Sequence, residues 1–342
     1  VESLPIIDVS ALTAGDAAAR SAVAAEVDAA CRRTGFFLVT GHGVPGDLLD
    51  RLDRAARAFF ALPEAVKASV AMPTAGLAWR GWFPEGGELT SGRPDHKEGL
   101  YLGTDLSATD PRVVAGLPLH GANVLPDAEV PDLRPAVDAW MAAMTDLGQR
   151  LLGAMAVGLG LDADWFVRHL TADPTVLFRI FRYPALPADL NVDREGWSVG
   201  EHTDYGLLTI LAHDGRPGLE VRSPDGGWIS VPTVPGAFVV NLGDMLDRLT
   251  GGRYRSTPHR VHHVAAGPAA GDRLSFPFFL DPSWDATIVA PDLDGEAPAD
   301  DASTRWDAAS VHEFDGTYGD YLTAKVARVF PDLGIEVLPD RP

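Results

Sequence analysis

The clearest chemistry in this sequence lies in the stretch Glu201-His202-Thr203-Asp204-Tyr205-Gly206-Leu207-Leu208-Thr209-Ile210. On an extended strand, residues two apart project from one face with Cα atoms about 6.5 Å apart, so His202 and Asp204 can converge on one ion. A further histidine from a distant segment would complete a two-histidine, one-carboxylate face, the set that leaves positions open on non-haem Fe(II). His259, in Ser256-Thr257-Pro258-His259-Arg260-Val261, is the candidate. His262 and His263 compete with it. Alternation along a strand from His259 puts His263 on the same face and His262 on the other, so spacing alone excludes only His262.

Arg273 opens the apolar run Arg273-Leu274-Ser275-Phe276-Pro277 after a Gly-containing turn. A guanidinium buried at the start of such a strand calls for an anion. Its planar fork suits a carboxylate, and Ser275, two residues on, can add a hydroxyl from the same face. An internal salt bridge to an Asp or Glu is the competing reading.

The elements that must position these groups follow from periodicity. Pro5 to Val9 reads as a first strand. Val23, Val27, Ala30 and Cys31 then mark an amphipathic helix, and Gly35 to Thr40 a buried strand ending in the turn around His42. Leu48, Leu52, Ala55, Ala56 and Phe59 continue a helical stripe that Pro63 stops. Met72 to Asp95, rich in Gly, Pro and Trp, reads as loop able to lid a pocket. Lys97 to Gly103 reads as a strand, and the apolar spacing from Val137 to Met155 as the longest helix. Short runs follow at Val176–Tyr183, Leu207–Ala212, Leu219–Val221, Trp228–Val231, Ala237–Asn241, His259–Val264 and Leu274–Leu280, as in a sandwich or jelly roll. Helical periodicity returns from Tyr318 to Val329.

The 342 residues are 46% apolar and 22% charged, which bounds a globular chain with a substantial core. Against 28 Lys plus Arg stand 48 Asp plus Glu, a net charge of −20 that disfavours nucleic acid and anionic membranes as partners. No apolar run approaches the roughly 18 residues of a membrane span, and no charged-then-apolar leader opens the chain, so a cytoplasmic protein is expected. The start at Val1 rather than a methionine leaves room for residues lost upstream. A single cysteine, Cys31, excludes an intrachain disulfide and a cysteine-based zinc cluster, and its helical stripe assigns it to the core.

The H-x-D pair, the histidine followed by Arg260-Val261, and the R-x-S pair together resemble the isopenicillin N synthase-like iron(II)/2-oxoglutarate-dependent oxygenases. The likeness runs from Pro5-Ile6-Ile7-Asp8 almost to the end of the chain. It implies a mainly β fold with flanking helices (α+β) around a double-stranded β-helix, or jelly-roll, core. It also implies one domain, 1–342: an N-terminal α/β region (1–105), a helical scaffold (106–172), the jelly-roll core with the metal site (173–285) and a C-terminal helical segment (286–342). The resemblance selects His259 over His263, so that Fe(II) would sit on His202, Asp204 and His259. Arg273 and Ser275 would hold the distal carboxylate of 2-oxoglutarate, with a contact from Tyr183. Some relatives carry Asn two residues before that tyrosine; Phe181 stands here instead.

The implied reaction consumes 2-oxoglutarate and O2, releases succinate and CO2, and hydroxylates, desaturates or cyclises a small molecule. Arg80, Trp82, Glu98, Tyr101, Arg179 and Phe181 are the residues expected to border that substrate, with a monomer or small homo-oligomer as the assembly. For Arg179, exposure at the barrel rim is the competing reading. Three other readings compete: an iron oxidase of the same family that does without 2-oxoglutarate, a zinc hydrolase on the same ligands, and a jelly-roll binding module using the metal structurally.

Overall fold

The structure is a computed structural model that describes residues 3–90, 93–185, 197–262, 271–295, 297–300, 305 and 310–330. His263, the competing ligand candidate, lies outside the described residues. In chain order the strands are β1 (Ile6–Asp8), β2 (Phe36–Thr40), β3 (Gly81–Phe83), β4 (Leu89–Thr90), β5 (Arg93–Pro94), β6 (Glu98–Gly103), β7 (Thr175–Tyr183), β8 (Trp197–His202), β9 (Leu208–His213), β10 (Leu219–Arg222), β11 (Trp228–Ser230), β12 (Phe238–Leu242), β13 (His259–His262) and β14 (Arg273–Asp281). The helices are α1 (Ala11–Ala14), α2 (Ala17–Arg33), α3 (Gly46–Phe60), α4 (Glu64–Ser69), α5 (Pro111–Val114), α6 (Leu133–Gly158), α7 (Trp165–His169), α8 (Asp244–Leu249) and α9 (Tyr318–Val329).

An eight-stranded sheet, β1-β2-β12-β9-β14-β7-β6-β3, stands beside a four-stranded sheet, β11-β10-β13-β8. Strands β1, β2, β3 and β6 of the N-terminal region thus belong to the same sheet as the core strands. One face of the large sheet packs on α6, and α2 and α3 pack on α6 in turn. Alternation decides what each face presents. Along β14, Leu274, Phe276, Phe278 and Leu280 enter the helix-side core, which turns Arg273, Ser275, Pro277, Phe279 and Asp281 toward the cavity on the other side. The approach of α6 is close: a Cβ at Gly148 would stand 2.7 Å from Leu280 Cδ2. A second apolar cluster, with Phe36, Leu38, Val199, Val221, Val239 and Val261, joins the two sheets.

Local chemistry sets the helix ends. Asp16 caps α2 by accepting from the Ala19 amide at 2.8 Å, and Thr317 with Asp320 forms a capping box on α9. Two stretches differ from the sequence reading. Met72 to Asp95 is not plain loop; it holds a 3-10 helix (Met72–Ala78), β3 and the β4–β5 hairpin. Trp197 to His202 forms β8, a strand whose side chains lack a clean apolar alternation. Cys31 is fully buried and unpaired, and His42 is a turn residue, its ring stacked on Phe238 and its Nε2 2.9 Å from the Gly236 carbonyl. No helix among the described residues is long and apolar enough to cross a membrane.

Candidate active site

Strands β8 and β13 pair antiparallel with His202 directly opposite His259, and their ring centroids lie 4.3 Å apart. Asp204 is not on the strand. It lies in the connection from β8 to β9, and its Oδ1 sits 3.7 Å from His259 Nε2. Its backbone carbonyl, accepting from the Asp244 amide at 2.8 Å, ties that connection to the start of α8. One donor atom from each of the three residues lies within 4.8 Å of the others. His262, as alternation requires, faces away, onto Trp197 and Glu220.

Each donor is oriented from behind. His202 Nδ1 stands 2.8 Å from the Gly200 carbonyl and His259 Nδ1 3.2 Å from that of Thr257, which leaves the Nε2 atoms to face an ion. Asp204 Oδ2 accepts from Thr209 Oγ1 at 2.5 Å and Asn241 Nδ2 at 2.6 Å, leaving Oδ1 free. Burial works against the charge on Asp204, yet His259, His202 and the two hydrogen bonds outweigh it and hold the carboxyl below its usual range. Burial, then the neighbouring His202, pushes His259 down to about 4, so the ring is neutral and able to ligate at neutral pH. Two imidazoles and one carboxylate, open on the cavity side, fit Fe(II).

Behind the triad, the buried Arg305 donates to Asp244 at 2.5 Å and to Thr203 at 3.3 Å, and Tyr321 donates to Asp244 at 2.7 Å. Sequence reasoning did not single out Thr209, Asn241 or Arg305. Asn241 did carry a signal, as a lone amide in the otherwise apolar strand β12, buried throughout.

The triad opens into a cavity of about 410 Å³, within the roughly 300–1,000 Å³ of small-molecule sites. At one end Arg273 is buried, and its Nη1 has no hydrogen-bond partner. Its Nε reaches only the Arg216 carbonyl at 3.4 Å, and its guanidinium carbon lies 4.8 Å from the centre of the Tyr183 ring. Ser275 shares that face of β14, and Tyr183 is the cross-strand partner of Arg273. The internal acid that would have made Arg273 a structural ion pair is absent among the described residues.

Residues 175–282 match the family described as "2OG-Fe(II) oxygenase superfamily", and residues 4–128 match "non-haem dioxygenase in morphine synthesis N-terminal". A Dictyostelium discoideum protein named "Probable iron/ascorbate oxidoreductase" is 43% identical, with 99% of this chain and 98% of that protein covered. The chain belongs to the 2OG-Fe(II) oxygenase superfamily. A Glycine max protein named homoarginine-6-hydroxylase is 34% identical over 97% of this chain and 98% of its own. A full-length Neurospora crassa protein whose crystal structure holds alpha-KG is 26% identical and superposes with a TM-score of 0.77, covering 95% of this chain and 96% of that one. The protein is accordingly a 2-oxoglutarate-dependent non-haem iron dioxygenase with the jelly-roll fold of this superfamily, using Fe(II), 2-oxoglutarate and O2.

Of the six residues expected at the substrate, Tyr101, Arg179 and Phe181 line the cavity of this oxygenase. Arg80, Trp82 and Glu98 do not. Arg80 is buried against Gly103 and donates to the Leu119 carbonyl at 2.7 Å. Trp82 donates through Nε1 to Glu98 at 2.8 Å, and Glu98 also pairs with Lys67 and Arg182 on the helix side of the sheet. The facing wall comes from α9, with Leu322, Lys325, Val326 and Val329. Glu88 and Lys97 complete the rim, Lys97 bridging Glu88 at 2.9 Å and Asp95 at 2.5 Å.

Proposed function

We propose that His202, Asp204 and His259 bind the Fe(II), that Arg273 with Ser275 and Tyr183 grips the distal carboxylate of 2-oxoglutarate, and that the remaining cavity takes a small molecule for C–H oxidation. The observation that carries this reading is the unpartnered, buried Nη1 of Arg273, a residue that lines the same cavity as the three candidate metal donors. A guanidinium so placed is costly without an anion, and a carboxylate answers it with paired, charge-assisted hydrogen bonds.

Bound iron, with 2-oxoglutarate and O2, supplies the oxidising power for breaking a C–H bond and releases succinate and CO2. The chain supplies placement. Thr209 and Asn241 fix the carboxylate ligand, and the apolar wall formed by Phe181, Phe279, Leu322 and Val326 keeps water away from the reacting carbon. No protein general base is needed for that cleavage. The C-terminal segment acts here as a wall of the chamber rather than as a separate domain.

The test is anaerobic loading with Fe(II) followed by 2-oxoglutarate. The expected result is one iron per chain and a visible charge-transfer band that saturates with 2-oxoglutarate and is lost in Asp204→Ala. A wild-type protein that binds iron but shows no such band would reject the assignment of Arg273 to the co-substrate.

A further inference from the structure

Two arginines face this cavity from neighbouring strands, and only one is used by the reading above. Arg273 on β14 stands opposite Tyr183 on β7. Arg179 lies four residues back along β7 on the same face, about 13 Å away at the usual strand rise. Its guanidinium carbon is 3.6 Å from the centre of the Tyr101 ring and 5.2 Å from that of Phe279, so two aromatic faces fix its plane. Beyond those rings it has no hydrogen-bond or ion-pair partner among the described residues.

The lack of a partner is not for want of acids nearby. Glu88 is taken by Lys97 at 2.9 Å and by the Tyr101 hydroxyl at 2.5 Å, Asp95 by Lys97, and Asp281 by the Tyr318 hydroxyl. In the sheet the neighbours of Arg179 are Tyr101 on β6 and, in register on β14, Pro277, neither of which carries charge. Across the cavity, α9 adds Lys325 and Arg328 to the lining. In a chain of net charge −20, the lining holds five Lys and Arg beside three acids, Glu88, Asp204 and Asp281, with Lys325 3.7 Å from Asp244. Leu177, Phe181, Phe279 and Val326 add apolar and aromatic surface to the same lining.

We propose that Arg179 is the anchor for a carboxylate on the primary substrate, which is therefore an acid with an apolar body, held at the end of the cavity opposite 2-oxoglutarate. One planar guanidinium matches one carboxylate fork; a phosphate dianion would call for several converging donors, and the strands offer only Arg179 at this spot. Arg179 thus sets specificity, while Arg273 sets the co-substrate. The proposal rests on the assignment of Arg273 to 2-oxoglutarate, which leaves Arg179 for the substrate.

The test uses full-length protein loaded with Fe(II) and saturating 2-oxoglutarate under nitrogen. Isothermal titration calorimetry follows phenylacetate, 3-phenylpropanoate and 4-phenylbutanoate, each against its primary amide and the amine of the same length. The expected result is that at least one acid binds tenfold or more tightly than its amide and its amine. In Arg179→Gln that acid loses tenfold or more while the amide changes less than twofold, and Arg179→Lys recovers part of the loss. The idea is overturned if no acid is preferred by the wild type, if an amine is preferred (which would point to Glu88), or if Arg179→Gln keeps the preference. The 2-oxoglutarate charge-transfer band is recorded in every sample. Its absence in the wild type defeats the co-substrate assignment, whereas its presence with no acid preference defeats the Arg179 anchor alone.

Discussion

His202 and His259 are direct cross-strand partners, one closing β8 and the other opening β13. The register of a four-stranded sheet thus brings together two of the three proposed metal donors, and the β8–β9 connection adds Asp204. Because the sheet rather than the ion makes this pairing, His202→Ala and His259→Ala are expected to fold. Both should weaken Fe(II) binding by more than the roughly 10–100-fold typical of losing a supporting hydrogen bond. Metal titration alongside thermal melts of the metal-free proteins checks both halves of the prediction.

Asn241 and Thr209 fix the orientation of the Asp204 carboxylate through Oδ2. Asn241→Ala should cost about 10–100-fold in Fe(II) affinity while leaving all three ligands in place. Co(II) absorption spectra, which report ligand geometry, should change shape as well as midpoint. An unchanged spectrum with unchanged affinity would show that Thr209 alone holds the carboxylate.

Arg273→Gln removes the charge and half the fork that would meet a carboxylate. Charge-assisted hydrogen bonds contribute about 1.5–3 kcal/mol each, so 2-oxoglutarate should bind about 10–100-fold more weakly. Iron affinity should stay as it was, since Arg273 is not among the three donors. The charge-transfer band, titrated with 2-oxoglutarate, separates the two effects.

Burial, with the negative charge of Asp204 as the next raising contribution, pushes Asp281 up to about 7, against the hydrogen bond from Tyr318 that lowers it. The folded state therefore holds a proton on this carboxyl across a range where the unfolded chain, at about 3.8, has released it. Stability from this group is present below the unfolded value and is lost as pH rises toward the folded one. Asp281→Asn, which still accepts from the Tyr318 hydroxyl, should remove that slope. Relative to the wild type, its melting temperature should rise steadily between about pH 4 and about pH 7 in metal-free protein. Parallel melting curves for the two proteins would contradict it.

The chemistry-bearing residues were legible because they are short-range patterns: H-x-D and R-x-S each need only two residues on one side of the chain. The third proposed ligand was not, since nothing in the spacing separates His259 from His263, and only the family resemblance favoured His259. Asp204 was placed on a strand, whereas it sits in the connection beyond β8; convergence with His202 comes from the Asp244 amide and the β8–β9 turn as much as from alternation. The part of β8 before the H-x-D motif escaped notice because Ser198, Gly200 and Glu201 interrupt any apolar rhythm. The substrate wall shows what one-dimensional reading omits. Glu98 and Tyr101 differ by an odd number of residues on β6, so only one of them can face the cavity, and pairing with β7 selects Tyr101. Arg80 and Trp82 were attractive for their type, but their faces depend on how β3 docks against β6. The wall from α9 depends on contacts between segments far apart in sequence.

That wall also bears on how the protein comes off the ribosome. Every proposed iron ligand has been synthesised by His259, yet the chamber acquires its α9 side only with Leu322, Lys325, Val326 and Val329. A nascent or prematurely stopped chain would carry the full ligand set facing bulk solvent, where oxidant generated at the metal would meet the polypeptide instead of a captive substrate. The order of translation thus makes self-inflicted damage a hazard of synthesis, because α9 follows every proposed ligand in the chain.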